Sequence, residues 1–246
     1  MMASASKVAL ITGGGSGIGY AVATMLAAKG WLVNIVDIDR EKGAAAAANI
    51  PGATFYEADV RDDAAMRHSF EEIMKNHSRL DFVFANAGIT DPRNFYNETQ
   101  GNSLPPEPSL ALLDINLKGA VMCAYLAQHY FRLTRQNNQL ADFDPSLIFT
   151  SSIAGLVIIP SVPLYTAAKH GLVAFTGAIA TPFKESDGIR VSSICPGPVL
   201  TERSKSRPPE TLVPMEAVCN AVDELLNPNG GFGRCLKIVP EGTSDV

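Results

Sequence analysis

Short runs of Val, Ile, Leu and Phe recur along the chain, separated by longer stretches in which apolar positions fall at helical spacing. The runs are KVALIT (7–12), LVNIVD (32–37), ATFYEA (53–58), DFVFAN (81–86), SLIFTS (146–151), IRVSSIC (189–195) and CLKIVP (235–240). Near-continuous apolar character marks strands covered on both faces. Parallel sheets need such strands, because each crossover lays a helix over the sheet. The pattern predicts an α/β chain with a doubly wound parallel sheet of about seven strands and helices on both faces.

The intervening stretches support this plan locally. Residues 17–29 carry an apolar face and end at Gly30, and the alanines at 44–48 favour a helix. The apolar stretch AVMCAYLAQHYF (120–131) either covers the sheet or meets another subunit. Pro182 is expected to break or kink the helix that follows Lys169. Two segments read as irregular: 90–109, with four prolines, and 196–214, with five. Connections this long tend to serve function, so 196–214 is expected to form a substrate lid. Phe95, Tyr96 and Leu200 suggest apolar walls for the same pocket. No internal repeat is evident, and residues 1–246 read as one domain.

Charge narrows the partners. A net charge of −5 and a pI near 5.4 give no electrostatic footprint for nucleic acid or an anionic membrane. Cys123, Cys195, Cys219 and Cys235 lie far apart in sequence without a C-x-x-C, and the four histidines lack zinc-ligand spacing, so no metal is expected. The first apolar run is too short for a signal sequence and no run approaches a membrane span, which makes the cytoplasm the expected location.

Candidate chemistry begins with TGGGSGIG (12–19), between the first strand and the first helix. Gly13, Gly17 and Gly19 let the backbone turn sharply and approach a pyrophosphate, while Ser16, Gly17 and Ile18 open a helix whose N–H groups and dipole attract anions. A tight strand-to-helix turn with no ligand uses glycine for the same steric reason. Asp37 ends the second strand 18 residues after Gly19, where an acid accepts hydrogen bonds from the adenosine ribose and repels a 2'-phosphate. The alternative role for Asp37 is an ordinary helix cap. Asp39 follows and no basic residue precedes Arg40, so NAD is favoured over NADP unless Arg40 swings inward. Tyr165 and Lys169, four apart, share a helical face. Such a pair is common on plain helix surfaces, where the phenol packs and the ammonium stays in water.

Taken together, T-G-x-x-x-G-x-G, FANAG (84–88), SSIAG (151–155), YTAAK (165–169) and PGPVLT (196–201) resemble the short-chain dehydrogenase/reductase family in order and over nearly the whole chain. Among its branches the chain is most similar to the NAD-dependent 15-hydroxyprostaglandin dehydrogenase-like group. The resemblance implies a Rossmann-type fold and hydride transfer between nicotinamide and a secondary alcohol or ketone of a lipophilic small molecule. It also implies a homodimer or homotetramer.

The same resemblance assigns roles. Tyr165 exchanges a proton with the substrate oxygen, Ser152 bonds that oxygen, and Ser151 faces away. Lys169 tunes the phenol and binds the nicotinamide ribose, and Asn116 supports a water on the proton route. Asp59 and Val60 match the adenine-contacting pair; Asn86, Ala87 and Gly88 pass along the cofactor ribose. Pro196, Gly197, Val199 and Thr201 present groups to the carboxamide, although a stiff proline turn without a ligand explains that stretch equally. Ala85 and the serines of RVSSICPG depart from the family pattern without removing a catalytic group.

A free phenol, with pKa about 10, is a poor base at neutral pH. A cation roughly 5 Å away contributes about 3 kcal/mol at an effective dielectric near 20, worth about two pKa units, and far less in bulk water. Lys169 therefore helps only in a sheltered cleft. Two further readings remain at this point. One is a reductase coupled to cyclisation, isomerisation or dehydration in secondary metabolism; the other is a dinucleotide-sensing interaction protein, whose usual mark is loss of Ser, Tyr or Lys.

Overall fold

A computed structural model describes residues 6–90, 95–96, 110–137, 140–201, 204 and 208–246. The strands are β1 (Val8–Thr12), β2 (Leu32–Asp37), β3 (Ala53–Glu57), β4 (Phe82–Ala85), β5 (Ser146–Thr150), β6 (Arg190–Pro196), β7 (Cys235–Val239) and β8 (Gly242–Asp245). Between them run the helices α1 (Gly17–Ala28), α2 (Arg40–Asn49), α3 (Asp63–His77), α4 (Ala111–Leu113), α5 (Gly119–Asn137), α6 (Pro163–Asp187) and α7 (Met215–Leu226).

All eight strands form one sheet in the order β3-β2-β1-β4-β5-β6-β7-β8. The first seven strands are parallel, in agreement with the sequence pattern. The chain builds outward from β1 in one direction and then crosses to β4 on its other side. The connections at the carboxyl ends of β1 and β4 therefore diverge and leave a crevice, which is where doubly wound sheets bind ligands. The eighth strand was not expected. It pairs antiparallel with β7, and its four residues, Gly-Thr-Ser-Asp, are all exposed, so it carries no apolar signal.

Each sheet face buries its own core. Met66, Phe70 and Ile73 of α3, Cys123, Leu126 and Phe131 of α5, and Leu172 of α6 pack on one face. Val22 and Leu26 of α1, Ala46 of α2, and Val218 and Val222 of α7 pack on the other. Most of the apolar stretch in α5 thus covers the sheet, while Val121 and Tyr125 point outward. Among the described residues, no helix is long and apolar enough to cross a membrane.

The expected break at Pro182 does not occur, and α6 continues through it to Asp187. A proline there removes one helical hydrogen bond, near the end of a helix that is held by packing against β6. Ser186 Oγ donates to the Pro182 carbonyl at 2.8 Å and ties the last turn to the proline.

The end of the sheet opposite the crevice is pinned by a buried ion pair. Asp81 Oδ2 accepts from Val8 N at 2.8 Å and from Arg79 Nε at 2.7 Å, and both side chains are almost fully buried. Arg79 also reaches Asp142 at 3.3 Å. Removing one member of such a pair strands a charge in a poor solvent. Asp81→Ala is therefore expected to lose about 3–5 kcal/mol of unfolding free energy, measured by urea titration.

Candidate active site

The glycine-rich turn is held in a shape that side chains would block. Gly13 has φ +66, and a Cβ there would lie 2.9 Å from the Ala87 Cα; at Gly19 a Cβ would lie 2.3 Å from the Gly13 carbonyl oxygen. These contacts bring the turn after β1 against the segment after β4. Gly17, at φ +55, faces the Thr201 methyl, which a Cβ would meet at 3.7 Å, so the segment after β6 reaches the same turn. Ser16 caps α1 with extended backbone and no side-chain cap bond. The first-turn N–H groups at Gly17, Ile18 and Gly19 therefore lack helical acceptors and present the positive end of the helix dipole.

Asp37 does not serve as the helix cap; Asp39 does, accepting from Lys42 N at 3.0 Å. Asp37 Oδ2 instead accepts from Gly15 N at 2.9 Å, and its other oxygen accepts from Asp39 N at 3.0 Å. The carboxylate thus stands beside the turn. Arg40 lies outward, 3.7 Å from Glu57. After β3, Asp59 is bonded to Arg61 through both carboxylate oxygens, and this pairing lowers its pKa. Val60 packs on Gly119, where a Cβ would come within 2.9 Å of it.

Beneath the turn runs a polar clamp. Thr12 Oγ1 accepts from Asn86 N at 3.0 Å and from Ala87 N at 3.1 Å, and Asn86 Nδ2 donates to Thr12 O at 3.1 Å and Gly13 O at 3.3 Å. Thr150 Oγ1 donates to Asn86 Oδ1 at 3.0 Å. Thr12 and Thr150, each ending an apolar strand, were not among the predicted site residues. A hydroxyl at the carboxyl end of a buried strand is the sequence signal that points to them.

Thr150 also links the clamp to the catalytic candidates. Lys169 Nζ donates to the Thr150 carbonyl at 2.6 Å, lies 5.6 Å from the Tyr165 ring centroid, and is only 3% exposed. Desolvation lowers its pKa from 10.5 to about 8. The surface-pair alternative for Tyr165 and Lys169 is therefore excluded for the lysine. The backbones of α6 and the turn Ile153–Gly155 meet closely, since a Cβ on Gly155 would lie 2.7 Å from the Lys169 carbonyl oxygen. Ser151 Oγ donates to that carbonyl at 3.0 Å and is buried. Ser152 Oγ accepts from Ala154 N at 3.2 Å and donates to the Pro196 carbonyl at 3.4 Å.

Asn116 sits in a π-helical turn, Asp114–Lys118, between α4 and α5. Its amide exchanges two 2.8 Å hydrogen bonds with the backbone of Ile89, and the residue is 1% exposed. The helix irregularity is thus real, and Asn116 ties it to the segment after β4. Gly88 lies against it, with a Cβ there 3.2 Å from Asn116 Oδ1.

The segment after β6 is braced from within. Gly197 N donates to Ile238 O at 2.8 Å, Val213 N donates to Pro198 O at 2.7 Å, and Val199 and Val213 form a short bridge. Ser204 Oγ accepts from Thr201 N at 2.9 Å. Positions 202, 203 and 205–207 of the expected lid lie outside the described residues, as do 91–94 and 97–109 of the other expected pocket wall. Phe95, Tyr96 and Leu200 are more than half exposed.

Comparison with known proteins places the chain in a family. Residues 7–211 match the family described as short chain dehydrogenase. The chain is 39% identical over 230 residues to short-chain dehydrogenase/reductase prx7 of Penicillium rubens, spanning 89% of this chain and 80% of that protein. It is 34% identical over 203 residues to 15-hydroxyprostaglandin dehydrogenase [NAD(+)] of Homo sapiens, spanning 79% and 69%. A crystal structure of a short chain dehydrogenase from Bacillus anthracis matches with a TM-score of 0.79 at 26% identity over 94% of both chains. The 3-ketoacyl-(acyl-carrier-protein) reductase of Brucella melitensis, solved with NADH, shares the fold at a TM-score of 0.82 and 24% identity, over 95% and 97% of the two chains.

The buried lysine has a measurable signature. Between pH 8 and 10.5 the unfolded chain still binds a proton at Lys169 that the folded chain has released, so this group makes stability rise with pH across that window. Relative to Lys169→Met, the wild-type protein is expected to gain up to about 3 kcal/mol over that range, read from urea unfolding at each pH.

Proposed function

The chain belongs to the short-chain dehydrogenase/reductase family, and we propose that within it the protein is an NAD-dependent dehydrogenase that interconverts a secondary alcohol and a ketone on a lipophilic small molecule. The observation that carries this reading is the Lys169 ammonium, buried on the Thr150 carbonyl and 5.6 Å from the Tyr165 ring. In so dry a place the cation favours the phenolate, which brings Tyr165 toward the range of a working general acid and base.

The residues fit a dinucleotide. Gly13 and Gly19 keep the turn free of Cβ atoms, the open N-terminus of α1 suits the pyrophosphate, and Asp37 stands where ribose hydroxyls are received. Bound there, the dinucleotide supplies the nicotinamide ring that accepts or returns hydride. Tyr165 takes the alcohol proton, or gives it back in the reverse direction, while Ser152 holds the reacting oxygen by hydrogen bond. Lys169 steadies the phenolate, and Asn116, held on the backbone of Ile89, supports a water on the proton route from the lysine to solvent. Thr201, facing Gly17, and the Pro196–Val199 backbone hold the carboxamide side. Asp59 and Val60 serve the adenine side, and Asn86, Ala87 and Gly88 the ribose.

The preference for NAD over NADP rests on Asp37 and on Arg40 turning toward Glu57, not toward the turn. The named cofactor of the human relative agrees, and its hydroxyprostaglandin substrate agrees with a lipophilic alcohol. Val157, Ile158 and Leu200 are exposed apolar side chains on the segments that follow Ser152 and Val199, which suits a pocket completed by apolar substrate and a lid at 196–214. Homo-oligomerisation through the outward Val121 and Tyr125, and a cytosolic location supported by four free cysteines, belong to the same proposal.

The test follows NADH absorbance with a panel of hydrophobic secondary alcohols. Tyr165→Phe is expected to lower kcat by about 10²–10⁴-fold while leaving NAD+ affinity within a small factor. Turnover equal to wild type would remove the assigned role. NADP+ is expected to give a lower kcat/KM than NAD+, and Asp37→Ala to narrow that gap.

A further inference from the structure

Two cysteines separated by 40 positions in sequence meet in the fold. Cys195 on β6 and Cys235 on β7 face each other with their sulfurs 3.3 Å apart. The register pairs Cys195 with Lys237 and Ser193 with Cys235, so the two thiols reach diagonally across adjacent parallel strands on one sheet face. Cys195 is fully buried and Cys235 only partly, so one sulfur is open to small reagents and the other stands behind it.

We propose that Cys195 and Cys235 form a reversible redox site, in which a hydroperoxide oxidises Cys235 and Cys195 closes a disulfide to it. The Cys235 thiolate attacks one oxygen of hydrogen peroxide, breaks the O–O bond and becomes a sulfenic acid; the departing hydroxide takes a proton and leaves as water. Cys195 then attacks the Cys235 sulfur and expels the sulfenic oxygen as a second water, with its own thiol proton consumed. Two thiols and one peroxide give one disulfide and two waters, and a dithiol reverses the change.

The surroundings favour these roles. Cys235 is the more open of the two thiols and therefore the nucleophile; with the buried Cys195 as donor, the shared hydrogen bond lowers the pKa of Cys235 and raises that of Cys195. Ser193, opposite Cys235 in the register, has a buried hydroxyl without a hydrogen-bond partner and is available to a Cys235 thiolate. Closing the gap to a bond of about 2.05 Å draws the two side chains together. The β7 side yields more readily, because its outer neighbour is the short exposed β8.

The site also touches the catalytic candidates. The residues on either side of Cys195 are bonded to the two serines: the Ile194 carbonyl accepts from Ser151 N at 2.8 Å, and the Pro196 carbonyl accepts from Ser152 Oγ at 3.4 Å. Drawing the Cys195 sulfur toward β7 therefore loosens the serine that is proposed to hold the substrate oxygen. This consequence rests on the proposed function; the disulfide itself does not.

The experiment treats the purified chain with one equivalent of hydrogen peroxide, alkylates the remaining thiols and reads intact mass and non-reducing peptide maps. The expected result is loss of two hydrogen atoms, a link between the peptides carrying Cys195 and Cys235, and full return on dithiothreitol. Cys235→Ser and, separately, Cys195→Ala are each expected to abolish the link, with circular dichroism confirming that each variant is folded. Both thiols remaining open to alkylation, an oxygen persisting on Cys235 without a link, or a link through Cys123 or Cys219 would each overturn the proposal. Oxidation is further expected to reduce NAD-dependent turnover several-fold in wild type and not in Cys235→Ser. A disulfide that leaves turnover intact would overturn the coupling to Ser152.

Discussion

An ammonium buried away from water is the constraint on which the rest of this site depends. Lys169 is held by the carbonyl at the end of β5 and is flanked by the Tyr165 ring. Desolvating that cation is costly unless its surroundings are fixed. Fixing them requires α6 to approach the turn after β5 at Gly155, the Ser151 hydroxyl to hold the Lys169 carbonyl, and Thr150 to be tied to Asn86. The local destabilisation of one charge is thus offset by a network that also places Ser152 and Tyr165.

That network continues into the cofactor turn. Asn86 bonds to both the Thr150 hydroxyl and the carbonyls of Thr12 and Gly13, so the sheet's switch point and the end of β5 share one polar clamp. A rigid parallel sheet supplies the distances; the clamp sets the orientation of the backbone groups that leave it. Chemistry can vary on such a scaffold through the outer segments after β4 and β6 without disturbing the clamp.

The parallel strands were legible because burial on both faces leaves an unmistakable apolar run, as in LVNIVD. The turn, Asp37, Ser152, Tyr165 and Lys169 were legible because unusual backbone shape or chemistry demands particular residue types there. Other features lacked a local signal. Strand β8 is polar and exposed, so nothing in GTSD marks it. Pro182 carries a strong local signal against helix, yet packing on β6 outweighs one lost hydrogen bond. Cys195 and Cys235 were far apart by count and meet only because their strands are neighbours, a relation set by topology. The side-chain partners of Thr12 and Thr150 arise the same way, from contacts across the sheet between positions more than 60 residues apart.

The short antiparallel strand at the sheet's margin has a consequence for the molecule's behaviour in a crowded solution. An uncovered border of a parallel sheet offers a row of unpaired donors and acceptors on which foreign chains can stack. Here that border is β8, a four-residue strand whose Asp245 carboxylate is clasped by Arg234 and which exposes no apolar side chain within its span. A segment so brief and so polar makes a poor template for strand addition. The sheet therefore stops growing at β8, and fibrillar or domain-swapped assembly from that side is disfavoured.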